Sequence, residues 1–174
     1  MSYDLSKPLV IGISSRALFN LEQENKIFEE QGVEAYEAYQ VAHENEILQK
    51  GAAFQLIKAF LKLNNTGLGR LVEVIIMSRN NANTCLRIFN SIQYYGLDIT
   101  RATLTSGAEI APYLKAFKTD LFLSANSVDV QSAINDGIAA GLILTGAAHA
   151  DARQKIDQIR IASVSYTHLR AHET

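Results

Sequence analysis

Tryptophan is absent, cysteine occurs once (Cys85) and proline twice in 174 residues. One thiol permits neither an internal disulfide framework nor a multi-cysteine zinc site. Basic charge is also scarce: sixteen Lys and Arg against eighteen Asp and Glu leave a formal net charge of −2 and a pI near 6.1. A nucleic-acid binder needs a basic face, so no nucleic-acid partner is expected. No apolar run approaches the ~20 residues that a bilayer requires, and no membrane partner is expected. The opening residues lack a basic segment followed by an apolar one, so no secretory signal is expected and the chain reads as cytoplasmic. Hydrophobic residues make up 48% and charged residues 20%. That balance supports a real core and one domain of ordinary size.

Apolar runs recur along the chain. Strands are expected over Leu9–Ile13, Leu71–Met77, Ala102–Thr105, Asp120–Leu123 and Gly141–Leu144, with a sixth at Ile159–Ala162. The runs are continuous, as in strands buried on both faces. Stripes at helical spacing lie between them: Phe54, Ile57 and Leu61; Cys85, Ile88, Phe89 and Ile92, ending near Gly96; and Val130, Ala133, Ile134 and Ile138, with Gly137 interrupting late. Alternating strands and helices predict an α/β fold, a three-layer Rossmann-like parallel sheet. One stretch breaks the rhythm. Residues of about 20–50 carry Glu22, Glu24, Glu29, Glu30, Glu34, Glu37, Glu44 and Glu46 against Lys26. They read as a small helical insertion after the first strand, with Val33, Tyr36, Tyr39 and Ala42 as its apolar face, and its glutamates read either as a solvated face or as part of a cap over a pocket. Such an acidic cap repels phosphate.

Open parallel sheets bind ligands at the carboxyl ends of their strands. The candidate residues there are Ser14, Ser15 and Arg16; Ser78, Arg79, Asn80 and Asn81; Thr105 and Ser106, with Lys115 on the next helix; and Ser124 and Asn126. The set contains hydroxyls, amides and cations but no carboxylate or histidine. It suits an anion such as phosphate, and lacks both the oxygens that Mg²⁺ prefers and a general base. The same Ser and Asn residues also serve as helix N-caps, and both readings stand. His43 reads as a surface helix residue and Cys85 as a core thiol. There is no Gly-x-Gly-x-x-Gly fingerprint, Walker loop or nucleophile elbow.

The segments IGISSRALF (Ile11–Phe19), EQGVEAY (Glu30–Tyr36), HEN (His43–Asn45), NSIQYYGLD (Asn90–Asp98), YLKAF (Tyr113–Phe117), LFLSAN (Leu121–Asn126) and DGIAA (Asp136–Ala140) appear in one order. Together they resemble the cytosolic 5'-nucleotidase type I family, over about Leu9 to Ala162. The resemblance implies a haloacid-dehalogenase-like fold, cytosolic location, and Mg²⁺-dependent hydrolysis of nucleoside 5'-monophosphates such as AMP through an aspartyl-phosphate. It also exposes a departure. The family's nucleophile motif follows the strand that here reads Ile159–Ala162, where this sequence continues Ser163-Val164-Ser165-Tyr166. No catalytic residue and no metal ligand is therefore expected in this chain.

On that resemblance, residues 1–162 form a degenerate half-domain. Ile13 and Ser15 take the places of the nucleophilic and acid/base aspartates, Ser78 that of a motif hydroxyl, and Lys115 that of the motif lysine. Ser124 and Asn126 stand near the metal carboxylates. Residues 163–174 resemble translated sequencing-adapter sequence and are expected to be foreign to the family, the chain being a truncated first half. Its expected partners are a nucleoside monophosphate and the missing C-terminal half, with self-association through the surface meant for that half. The alternative is a non-catalytic nucleotide-binding or assembly module.

Overall fold

The computed structural model of the chain describes residues 7–145. Five parallel strands, β1 (Leu9–Ile13), β2 (Val72–Ser78), β3 (Arg101–Leu104), β4 (Leu121–Ser124) and β5 (Ala139–Leu142), lie in the order β3-β2-β1-β4-β5. The first two apolar runs pair in parallel register, Leu9 with Val72 through Ile13 with Ile76. Six helices connect the strands: α1 (Ser15–Leu18), α2 (Glu22–Ala42), α3 (Phe54–Lys62), α4 (Leu86–Tyr94), α5 (Ala111–Ala116) and α6 (Ser127–Asn135).

Alternation along each strand divides the core in two. Ile11, Ile13, Val74 and Ile76 point to one face, where they meet Leu18 of α1, Phe54 and Ile57 of α3, and Ile88 and Ile92 of α4. Val10, Ile75, Met77 and Phe122 point to the other, against Ile110, Leu114 of α5 and Ala133 of α6. The three-layer α/β arrangement expected from the continuous apolar runs follows directly, since each face of the sheet needs a helical cover. Full burial of each such side chain contributes about 1.5–3 kcal/mol. The chain first builds outward from β1 to β2 and β3, then returns to β4 on the other side of β1. The order thus reverses between β1 and β4, where ligands bind in such sheets.

Strand edges differ from expectation by small shifts. β3 starts at Arg101 and β4 at Leu121. Asp120 stays outside β4, its carboxylate accepting from the Val10 amide at 2.8 Å. β5 begins two residues earlier than expected, and Ile138 is not in the preceding helix. Helix α6 stops at Asn135 because Gly137 takes φ +79°, the Gly137 amide donates to Ile134 O and the Ile138 amide to Ala133 O. This is a glycine C-cap that turns the chain straight into the strand. The predicted sixth strand lies outside the described residues, as do His149, His168, His172 and the tail 163–174.

The insertion is helical but not amphipathic in the predicted way. Gly32, at φ +85°, breaks α2 and resets its phase. Val33 is 54% exposed and Ala42 is exposed. The face that packs inward is polar and aromatic: Glu24 and Gln40 are buried, and Tyr36 and Tyr39 half-buried. Glu24 is therefore not part of a solvated acidic face; it pairs with buried Arg87 at 2.6 Å.

Candidate functional site

A cavity of about 470 Å³ opens at the carboxyl ends of β1, β2 and β4 and is roofed by α2. Ser14, Ser15, Arg16, Ser78, Arg79, Asn80, Asn81, Ser106, Ser124 and Asn126 all line it. Lys115 is not among the lining residues: its ammonium lies 3.3 Å from the Asp136 carboxylate, on a mostly exposed side chain near the end of α5.

Most of the hydroxyls and amides close the loops on themselves. Ser14 Oγ accepts from the Ala17 amide at 3.3 Å and from the Ala125 amide at 3.2 Å, capping α1 and joining the loops after β1 and β4. Ser78 Oγ accepts from the Asn80 amide and Ser124 Oγ from the Asn126 amide. Asn126 Oδ1 accepts from the amides of Val128 and Asp129 as the N-cap of α6. These are N-cap and turn roles, and they leave the hydroxyl hydrogens available to a neighbour. Ser15 and Ser78 lie with their Oγ atoms 3.3 Å apart, both buried.

The strand-end loops contain no carboxylate, yet the cavity does. Glu24 and Glu37 reach it from α2, and Asp129 from the first turn of α6. Each has a partner: Glu24 has Arg87, Glu37 accepts from Asn81 Nδ2 at 2.5 Å, and Asp129 pairs with Arg79. Arg16 is likewise occupied, its Nε and Nη2 each 3.0 Å from the two Glu22 oxygens. The hydrogen bond from Arg16 holds the Glu22 carboxyl below its ordinary range, against a smaller opposing effect of burial. Asp129 could have been suspected as an acidic residue three positions after an Asn N-cap. Nothing local marks Glu24 and Glu37, which a kinked helix brings in from the insertion.

Deeper in the wall, Tyr36 donates its hydroxyl to Asn80 Oδ1 at 2.9 Å and accepts from Gln40 Nε2 at 3.0 Å. Burial raises the Tyr36 phenol, opposed by those two partners. Cys85 is a core thiol, 1% exposed. Burial pushes it up to about 12 from 9.0, with the Asn80 side chain pulling it partly back. The unfolded chain therefore loses the thiol proton first. The contribution of Cys85 to stability is fully retained below about pH 9 and is lost as pH rises toward 12, with a limiting slope near 1.4 kcal/mol per pH unit. Tyr36 contributes in the same direction at higher pH. Urea midpoints at about pH 8 and pH 10.5 should show the fall, and Cys85→Ala should flatten it; equal slopes in the two proteins would remove Cys85 as the cause. His43 packs at the end of α2, its ring stacked on Tyr39 at 3.9 Å.

The donor set does not suit Mg²⁺. Among the described residues no group of three or more His, Cys, Asp or Glu could hold a metal ion, and the cavity carboxylates are each committed to a cation or an amide. Among the described residues no helix is long and apolar enough to cross a membrane.

Comparison with known proteins agrees with the sequence resemblance. A family model described as 5'-nucleotidase matches residues 1–164. Human cytosolic 5'-nucleotidase 1B is 40% identical over 146 residues, covering 80% of this chain and 24% of that protein. The chain thus spans about a quarter of the length of the curated relative it matches. No solved structure matches.

Proposed function

The chain belongs to the 5'-nucleotidase family, and we propose from that premise that it is a non-catalytic half of a cytosolic phosphoric monoester hydrolase. The whole protein hydrolyses nucleoside 5'-monophosphates such as AMP to nucleoside and phosphate. Its aspartyl-phosphate nucleophile and its Mg²⁺ belong to the portion that follows this one. The observation that carries the reading is the end of β1. Ile13, fully buried in the core, stands where the resemblance puts the nucleophile, and Ser15 stands where it puts the acid/base carboxylate. An alkyl side chain cannot attack phosphorus, and the carboxylates that do reach the cavity are tied to Arg87, Asn81 and Arg79.

The strand-end cavity is the ligand site that this half has kept, with Ser14, Ser15, Arg16, Ser78, Arg79, Asn80, Ser124 and Asn126 around it and Lys115 apart. Assembly with the remainder of the enzyme is supported by apolar side chains left in solvent on one edge: Val128 at 68%, Ile134 at 48%, Leu142 at 45% and Leu144 at 72% exposure. Patches of that kind mark interaction surfaces, here for the other half or for a second copy.

Purified 174-residue protein, incubated with AMP and Mg²⁺, is expected to release phosphate no faster than the blank. Beryllium fluoride with Mg²⁺, which mimics an aspartyl-phosphate, is expected to leave its thermal unfolding unchanged. Turnover well above blank would defeat the reading.

A further inference from the structure

We infer that the cavity accepts an uncharged nucleoside rather than a phosphorylated one. The inference rests on the reading of this cavity as a ligand site and deepens it by naming the ligand's charge class. Its first support is the charge balance of the walls. Two cations, Arg16 and Arg79, face three carboxylates, Glu24, Glu37 and Asp129, so the lining carries a formal charge of −1. Both arginines are already held, Arg16 by a two-point contact with Glu22 and Arg79 by Asp129. A phosphate dianion would have to take one of them away. Asp129 is 7% exposed, so losing Arg79 would leave a buried carboxylate unpaired beside a new dianion. Such a rearrangement is costly, because the desolvation of the abandoned charge has no compensation.

The second support is what remains unused. Phe28 is 48% exposed although it lines the cavity, and it meets Tyr36 edge to face with centroids 5.9 Å apart. Its ring offers a wall on which a planar heteroaromatic base can stack. The serine hydroxyls that cap the loops still have hydrogens to give to a sugar. The volume, about 470 Å³, suits a ligand of nucleoside size. A ligand with a base, a sugar and no charge uses every one of these groups without disturbing an ion pair.

Calorimetric titration of the full chain with adenosine, AMP and inorganic phosphate tests this, because the first two probes differ only in the phosphate. Adenosine should bind saturably, AMP at least tenfold more weakly, and phosphate without measurable heat. Phe28→Ala, at a solvent-exposed position, should weaken adenosine binding at least tenfold, whereas Lys115→Gln, outside the cavity, should change it less than threefold. AMP binding as tightly as adenosine, or phosphate binding alone, would overturn the inference. If AMP then proved sensitive to Phe28→Ala, the cavity would stand as a ligand site with the opposite charge preference. Absence of binding by all three probes would overturn the inference and the cavity's ligand role together, leaving the phosphate-release result untouched.

Discussion

Arg87→Met is expected to cost about 3–5 kcal/mol of folding free energy, the range for removing one partner of a buried ion pair. Total stabilities are about 5–15 kcal/mol, so the variant should stand close to the edge of unfolding. The reason lies in how completely Arg87 is enclosed. It is 7% exposed and Glu24 5% exposed, on helices that belong to different parts of the chain. Nη1 donates to Glu24 at 2.6 Å and Nε to the Glu46 carbonyl at 2.9 Å, while the guanidinium carbon lies 5.9 Å from the centre of the Tyr39 ring. Removing the guanidinium leaves the Glu24 carboxylate, 5% exposed in the cavity wall, without its cation. The double variant Arg87→Met with Glu24→Leu should recover most of the loss, because it removes both charges. Urea midpoints of the two single variants and the double form the cycle. A single-variant cost below about 1 kcal/mol would place the pair with ordinary surface salt bridges and sink the argument.

That pair also marks where sequence reading stops. The strands were legible because a parallel sheet buried on both faces writes each strand as an unbroken apolar run, and β2 is buried from Val72 to Ser78. Helices α3 and α4 were legible from stripes that face a sheet, and Gly96 ends α4 with φ +61°, as its position suggested. β5 was read two residues late because its sequence, Ala139–Leu142, is small and half-exposed. The insertion was visible as a break in rhythm, but its folding was not. It is held by Glu24 to Arg87, Tyr36 to Asn80 and Glu37 to Asn81, all polar contacts across more than forty positions. No periodicity records such contacts.

The same division runs through the cavity. The residues leaving β1, β2 and β4 could be named from topology alone, since strand ends converge wherever the strands are parallel. The carboxylates that neutralise Arg16 and Arg79 could not, because they arrive from neighbouring helices. Their arrival turns an expected anion pocket into one whose cations are already spoken for. Lys115 fell outside for a related reason. Helix α5 is short and packs through Leu114, and the next residue points to Asp136 instead.

Phe19→Ala is expected to cost a further 3–5 kcal/mol when made alone, the range for truncating a buried aromatic. Phe19 is fully buried, with ring centroids 6.2 Å from both Phe54 and Tyr95, which themselves meet edge to face at 5.0 Å. The Lys50 ammonium lies 5.3 Å from the centres of the Phe54 and Tyr95 rings. The position has a second duty, because the chain leaves for the insertion and returns beside it. Phe19 bridges Lys50 in antiparallel fashion, Asn20 N donates to Gln49 O, and Gly51 N donates to Leu18 O, each at 2.9 Å for the two latter bonds. At Gly51 a Cβ would sit 2.8 Å from the backbone of residues 17–19, so the two strands of this neck can approach only through glycine. Alanine at position 19 therefore removes the packing that holds the neck closed as well as its own buried surface. The urea midpoint should fall, and limited proteolysis should cut within residues 20–50 sooner than in the parent protein. Val33→Ala, in the same insertion but in solvent, should stay within about 0.5 kcal/mol of the parent. Loss of stability in Phe19→Ala with unchanged cleavage of the insertion would assign the residue to the core alone and dissolve its role in closing the neck.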